Sequence, residues 1–141
     1  EWTMTLCFTV DGNDFLRAGE ASAVVKRTLK QLGLESSLVR KIAIAMYEAE
    51  MNMVLHANGG NIKVTLSDTY LTIQMMDTGP GIKDIDLAMQ EGYSTASDNI
   101  RALGFGAGMG LPNMKRYTDD MKVESKVGEG TVVTLIVNIN S

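Results

Sequence analysis

Glu48 and Asn52 stand four residues apart in the run Glu48-Ala49-Glu50-Met51-Asn52, a spacing that puts both side chains on one helical face, a turn apart. A carboxylate there is able to take a proton from an attacking hydroxyl, and an amide oxygen suits Mg2+, a hard cation that selects oxygen donors. Glu50 projects elsewhere. The pair also fits an ordinary solvated acidic face, against which its apolar flanks weigh. A second group, Asp77-Thr78-Gly79-Pro80-Gly81-Ile82, follows an apolar run. A carboxylate at a strand end followed by glycines leaves room for a flat ring and accepts a hydrogen bond from an exocyclic amine such as that of adenine. A plain turn also explains Gly-Pro-Gly. The third group is Gly104-Phe105-Gly106-Ala107-Gly108-Met109-Gly110-Leu111-Pro112-Asn113. Glycines leading into a helix leave backbone amides open to phosphate oxygens, or make a hinge with no ligand. The spacing misses the Rossmann fingerprint, and no Gly-Lys-Ser/Thr ending makes it a P-loop.

These residues need elements to hold them, and the hydrophobic pattern supplies candidates. Trp2 to Val10 reads as a first strand, closed by the turn Asp11-Gly12-Asn13, which lacks the further acidic ligands of a calcium loop. Phe15 to Leu32 has apolar residues at helical spacing and stops at Gly33. A second helix, capped by Ser36 or Ser37, carries the stripe Leu38, Ile42, Ala45, Met46, Ala49 and Met53 toward His56, and Gly59-Gly60 ends it. Asn61 to Leu66 and Tyr70 to Met76 form a hairpin about Ser67-Asp68-Thr69. A short helix over Ile85 to Met89 precedes a loop reaching Gly110. Leu111 to Tyr117 is a helix with Pro112 in its first turn, and Met121 to Lys126 pairs with Thr131 to Ile139. Strands on both sides of a central helix pair predict an α/β (α+β) two-layer sandwich, a mostly antiparallel sheet with helices on one face.

Composition narrows the classes of function. The 141 residues suit a single domain, residues 1–141,. A net charge of −4 offers no broad attraction to phosphate backbones, so no nucleic-acid partner is expected,. No apolar run is long enough to span a bilayer, and no secretory signal opens the chain, so no membrane partner and a cytoplasmic location are expected. Cys7 is the only cysteine and reads as a reduced thiol in a strand, unable to form an intramolecular disulfide or a thiolate zinc site.

The three glycine- and acid-bearing runs, in this order along a short chain, resemble the N-box, G1 box and G2 box of the GHKL superfamily of ATP-binding proteins, the Bergerat fold. Gly130-Thr131 is similar to the family's closing Gly-Thr, so the resemblance spans nearly the whole chain. It implies ATP and Mg2+ as cofactors, with an ATP lid over residues 87–110. It also implies Glu48 as general base, Asn52 as Mg2+ ligand, Asp77 on the adenine amine and Gly79 and Gly81 shaping that pocket. Gly106, Gly108 and Gly110 would line the phosphates with Leu111 beside them, and Thr131 would help hold adenine through water. Glu48 sets the chain apart from histidine kinases, which usually carry Asn there. Asp84-Ile85, Glu91 to Thr95 and Gly108 to Arg116 look most like the bacterial anti-sigma-factor and stress-switch serine/threonine kinases. That branch implies phosphorylation of a Ser or Thr on a STAS-domain partner. A sigma factor or a PP2C-like phosphatase is a further candidate partner, and a homodimer a candidate assembly. A nucleotide-gated binding module with little catalysis and free ATP hydrolysis are the rival activities. The segment Ala96 to Phe105 is longer than in the switch-kinase pattern, and Ala96 stands where many anti-sigma kinases have a basic residue; Arg101 is the candidate replacement.

Overall fold

A computed structural model describes residues 2–12, 17–56, 59–77, 89 and 110–139. The first strand, β1 (Thr3–Asp11), is followed by α1 (Glu20–Gln31), α2 (Ser36–His56), β2 (Gly59–Ser67) and β3 (Tyr70–Asp77). A short α3 (Gly110–Arg116) then leads into β4 (Asp120–Lys126) and β5 (Gly130–Asn138). The strands form one sheet in the order β1-β2-β3-β5-β4, and every neighbouring pair is antiparallel.

Alternation along the strands decides which face is covered. Ile62, Val64 and Leu66 of β2, Leu71, Ile73 and Met75 of β3, and Val133, Leu135 and Val137 of β5 are buried. The register aligns them in rows, Val64 opposite Ile73 and Ile73 opposite Leu135, so the apolar side chains of three strands share one face. Lys63, Lys122 and Glu124 project from the other face and are exposed. Cys7 is exposed on that outer face too, since it lies between Leu6 and Phe8, which pack against the core.

α2 lies over the covered face. Of the expected stripe, Ile42, Ala45, Met46, Ala49 and Met53 are fully buried at helical spacing,, whereas Leu38 only packs against the edge of the core and its neighbour Val39, 1% exposed, fills the first position instead. Each large side chain buried here contributes on the order of 1.5–3 kcal/mol by the usual area relation. α1 packs on one flank of α2 and α3 on the other. Leu111 and Met114 carry α3 into the same core. Lys41 of α2 meets Asp119, just before β4, at 3.3 Å. Asp119 also accepts the Asn138 backbone N–H at 2.7 Å, and that bond first, then Lys41, holds its carboxyl below the usual range.

Three boundaries differ from the sequence expectation. The first helix begins at Glu20, after a left-handed Gly19 (φ 98°), and not at Phe15, which lies outside the described residues; apolar spacing alone does not register the break that Gly19 imposes. α2 begins at Ser36 and the Glu35 carbonyl accepts the Val39 N–H, so Glu35 takes the cap position and Ser36 and Ser37 lie inside the helix, the Ser37 hydroxyl donating to the Glu35 carboxylate. Gly59 and Gly60 open β2, where the expectation had them only ending α2. Both have positive φ, 88° and 149°. A Cβ at Gly60 would run into the Met76 carbonyl and the Met53 side chain and lie 3.0 Å from the Asp77 Cα. Only glycine lets α2 and the end of β3 approach this closely. The expected helix over Ile85 to Met89 and the expected loop to Gly110 fall almost wholly outside the described residues.

Candidate functional site

At the end of the sheet beside Gly60, three polar residues occupy the row that the apolar side chains fill elsewhere. Asp77 pairs in register with Thr131, and Thr131 with Ser125. They follow Met75, Val133 and Val123 on the helix-covered face, because residues two apart share a face. Thr131 is 6% exposed, and its hydroxyl lies 2.8 Å from that of Ser125, which also donates to the Gly130 carbonyl at 3.2 Å. Asp77 and Thr131, read from motifs 54 positions apart, thus stand side by side. Ser125 was not read as a site residue. Its signal was positional: it lies opposite Thr131 across the Gly128-Glu129-Gly130 turn.

Glu48 and Asn52 both lie half-buried on α2. Residues 48 and 50 are about 200° apart around a helix, so Glu50 faces the other way. Glu50 is 3% exposed, and its carboxylate accepts the backbone N–H groups of Ala21 at 3.2 Å and Ser22 at 3.1 Å. These are among the first amides of α1, which have no partner inside the helix, and Gly19 provides no side chain to cap them. A residue that sequence reading set aside therefore anchors one helix to another. A cavity of about 310 Å3 adjoins this flank, lined by residues of β1 and α1 with Glu50 and Val54. It lies on the side of α2 away from Glu48, and its carboxylate is already used by amides.

Glu48 turns toward α3, where its Oε1 accepts a hydrogen bond from Asn113 Nδ2 at 3.3 Å. Burial raises its carboxyl above the ordinary value, and the Asn113 bond partly opposes this. A carboxyl raised toward neutrality is better matched to proton transfer than a solvated one.

The remaining predicted residues divide by location. Gly110 is the first residue of α3. The Leu111 side chain is 6% exposed and belongs to the core. Gly79, Gly81, Gly106 and Gly108 lie outside the described residues. Among the described residues no cluster of three His, Cys, Asp or Glu side chains is able to hold a metal. A single amide oxygen such as that of Asn52 nevertheless fits Mg2+, which usually keeps several waters and binds through few protein ligands plus substrate phosphates.

The model of the family described as histidine kinase-, DNA gyrase B- and HSP90-like ATPase matches residues 38–141. The chain belongs to this ATPase family, and within it is similar to bacterial regulators. It is 33% identical over 126 residues to the anti-sigma F factor of Thermoanaerobacter pseudethanolicus, covering 86% of this chain and 85% of the relative. It is 34% identical over 115 residues to the serine/threonine-protein kinase RsbT of Bacillus subtilis, covering 79% and 80%. Among solved structures, the SiaB-SiaC complex from Pseudomonas aeruginosa aligns with TM-score 0.64 at 14% identity, over 94% of this chain and 88% of that one. The RsbU and RsbW domains of a Mycobacterium tuberculosis protein align with TM-score 0.61 at 18% identity, over 95% of this chain and 32% of that one. These alignments share the fold described above. Among the described residues, no helix is long and apolar enough to cross a membrane.

Proposed function

We propose that the chain is an ATP-dependent serine/threonine protein kinase of the anti-sigma regulatory type, acting in the cytoplasm on a hydroxyl of a STAS-domain partner. The observation that supports this reading is the close approach of α2 to the paired ends of β3 and β5. Glu48 and Asn52 lie on α2, Asp77 and Thr131 lie paired at one end of the sheet, and Gly60 lets α2 and that strand end meet.

In this reading Asp77 accepts the adenine amine, and Thr131, held by Ser125, orders the water beside it. Gly79 and Gly81 leave space for the ring, and the amides of Gly106, Gly108, Gly110 and Leu111 line the phosphates. Glu48 takes the proton of the acceptor hydroxyl as it attacks the γ-phosphorus; the Oγ–P bond forms, the bond to the β–γ bridging oxygen breaks, and ADP leaves. Asn52 would hold Mg2+, which offsets phosphate charge when bound.

The test is labelling of candidate STAS proteins from ATP carrying a radioactive γ-phosphate, by the native chain and by Glu48→Gln. Loss of the general base is expected to slow labelling by about 10²-fold or more, with ATP affinity retained within about threefold. Equal labelling by both proteins overturns the role given to Glu48. The relatives named anti-sigma F factor favour a second activity, nucleotide-dependent capture of a sigma factor. Partner binding that depends on ATP without any labelling would leave that activity alone standing. Labelling by size-separated fractions distinguishes one copy from a homodimer, and a phosphatase of the PP2C type is the further partner to try.

A further inference from the structure

Asn113 is an unexpected residue in the middle of α3. Asn is a weak helix former, roughly 0.5 kcal/mol or more behind Ala, and this helix has only seven residues. Its neighbours explain their own presence: Leu111 and Met114 fill the core, while Lys115 and Arg116 stand in the last turn, where cations suit the carbonyl end. The Asn113 backbone is used in the ordinary way, its carbonyl accepting the Tyr117 N–H at 3.0 Å. The side chain has one described bond, and it is to Glu48. An ionised carboxylate only accepts, so the amide must present its nitrogen, which fixes the orientation of the Asn113 amide.

We infer that Asn113 is the positioning residue for Glu48: it ties up Oε1, so that Oε2 is the oxygen left to face the acceptor hydroxyl, and it holds the carboxylate ready to accept a proton. The inference rests on the phosphotransfer reading above and adds a residue to it. α3 follows directly on the glycine-rich run, so this single bond joins the helix that carries the base to the segment assigned to the phosphates. Among the described residues, the other charged groups around α2 are paired away from Glu48 or exposed. Lys41, two turns back on the same flank, is paired with Asp119. Glu50 faces α1, on whose far flank Glu20 pairs at 3.9 Å with Arg17 of the preceding turn, and Lys115 and Arg116 of α3 are exposed. Asp77, at the end of β3, is the remaining carboxylate of the site.

The test has two readouts, one independent of activity. Carbon-13 labelling of the glutamate side-chain carboxyls follows the titration of Glu48 in the nucleotide-free protein, its signal being the one absent from Glu48→Gln. Asn113→Ala is expected to move the titration midpoint to higher pH. Asn113→Asp, nearly the same shape, is expected to move it further, because two adjacent carboxyls share a proton. In the labelling assay, Asn113→Ala is expected to lower the rate plateau about tenfold or more and to shift the acid limb to higher pH, with ATP affinity within about threefold. In a Glu48→Gln background the same substitution should change the residual rate by less than about twofold. A midpoint unmoved in both variants, or an equal rate loss with and without Glu48, overturns the inference. A native chain that labels no partner, while the midpoint shifts as described, overturns the kinase reading and leaves the contact intact.

Discussion

Glu48 and Glu50 are two acids on one helix with opposite assignments, and each predicts a different response to mutation. Glu48 has a carboxyl raised above its ordinary value by burial. Between the unfolded and the folded value the native state therefore binds more protons than the unfolded one, so stability falls as pH rises through that window. Above it the native protein carries an unfavourable buried charge. Glu48→Gln removes that charge while keeping an acceptor for Asn113. It should therefore be more stable than the native chain near neutral pH in urea titrations, the difference vanishing below about pH 4, where glutamate is protonated in both states. Glu50→Ala should do the reverse. It leaves the Ala21 and Ser22 amides, both buried with their acceptor, without a partner, at a loss of about 2 kcal/mol. Glu50→Gln should lose less, and the same urea titrations resolve the pair. If Glu50→Ala matched the native midpoint, the anchoring of α1 would be wrong.

Elements here are brought together by the absence of side chains as much as by contacts. Gly60 combines a positive φ with backbone and side-chain neighbours on both sides, so Gly60→Ala is expected to lower stability by about 3 kcal/mol or more and to weaken ATP binding, because α2 and the Asp77 end of β3 would be forced apart. A calorimetric titration with ATP on the folded fraction measures the second effect. Much of this arrangement was readable in the sequence. The stripe along α2, the hairpin of β2 and β3 and the closing hairpin of β4 and β5 follow from spacing alone, since helix and strand periods differ and the core face is unambiguous. Gly60 was read as a stop, because one chain position carries no information about which distant backbone comes near it. Glu50 was set aside for the same reason: its partners are the amides of another helix, and the bond depends on α1 and α2 lying side by side. The contact between Glu48 and Asn113 spans 65 positions and obeys no local period.

At the scale of the whole molecule, the described helices all lie on one face of the sheet, and among the described residues none covers the other, so the thickness of the sheet lies between the candidate site and the outer strand face. The roles proposed for the motif residues rest on type and order, yet the meeting of Asp77 and Thr131 at one sheet end depends on the strand order β1-β2-β3-β5-β4, which places β5 beside β3 although β4 comes between them in the chain. Pairing of Asp77 with Thr131 is a product of that exchange. Cys7, exposed on the uncovered face and the sole thiol of the chain, then offers a ready-made attachment point. A maleimide dye should couple once per molecule, as mass spectrometry would count, and leave the dissociation constant for ATP changed by less than about twofold. The molecule would thus carry its own reporter handle, set apart from the residues proposed for the nucleotide chemistry.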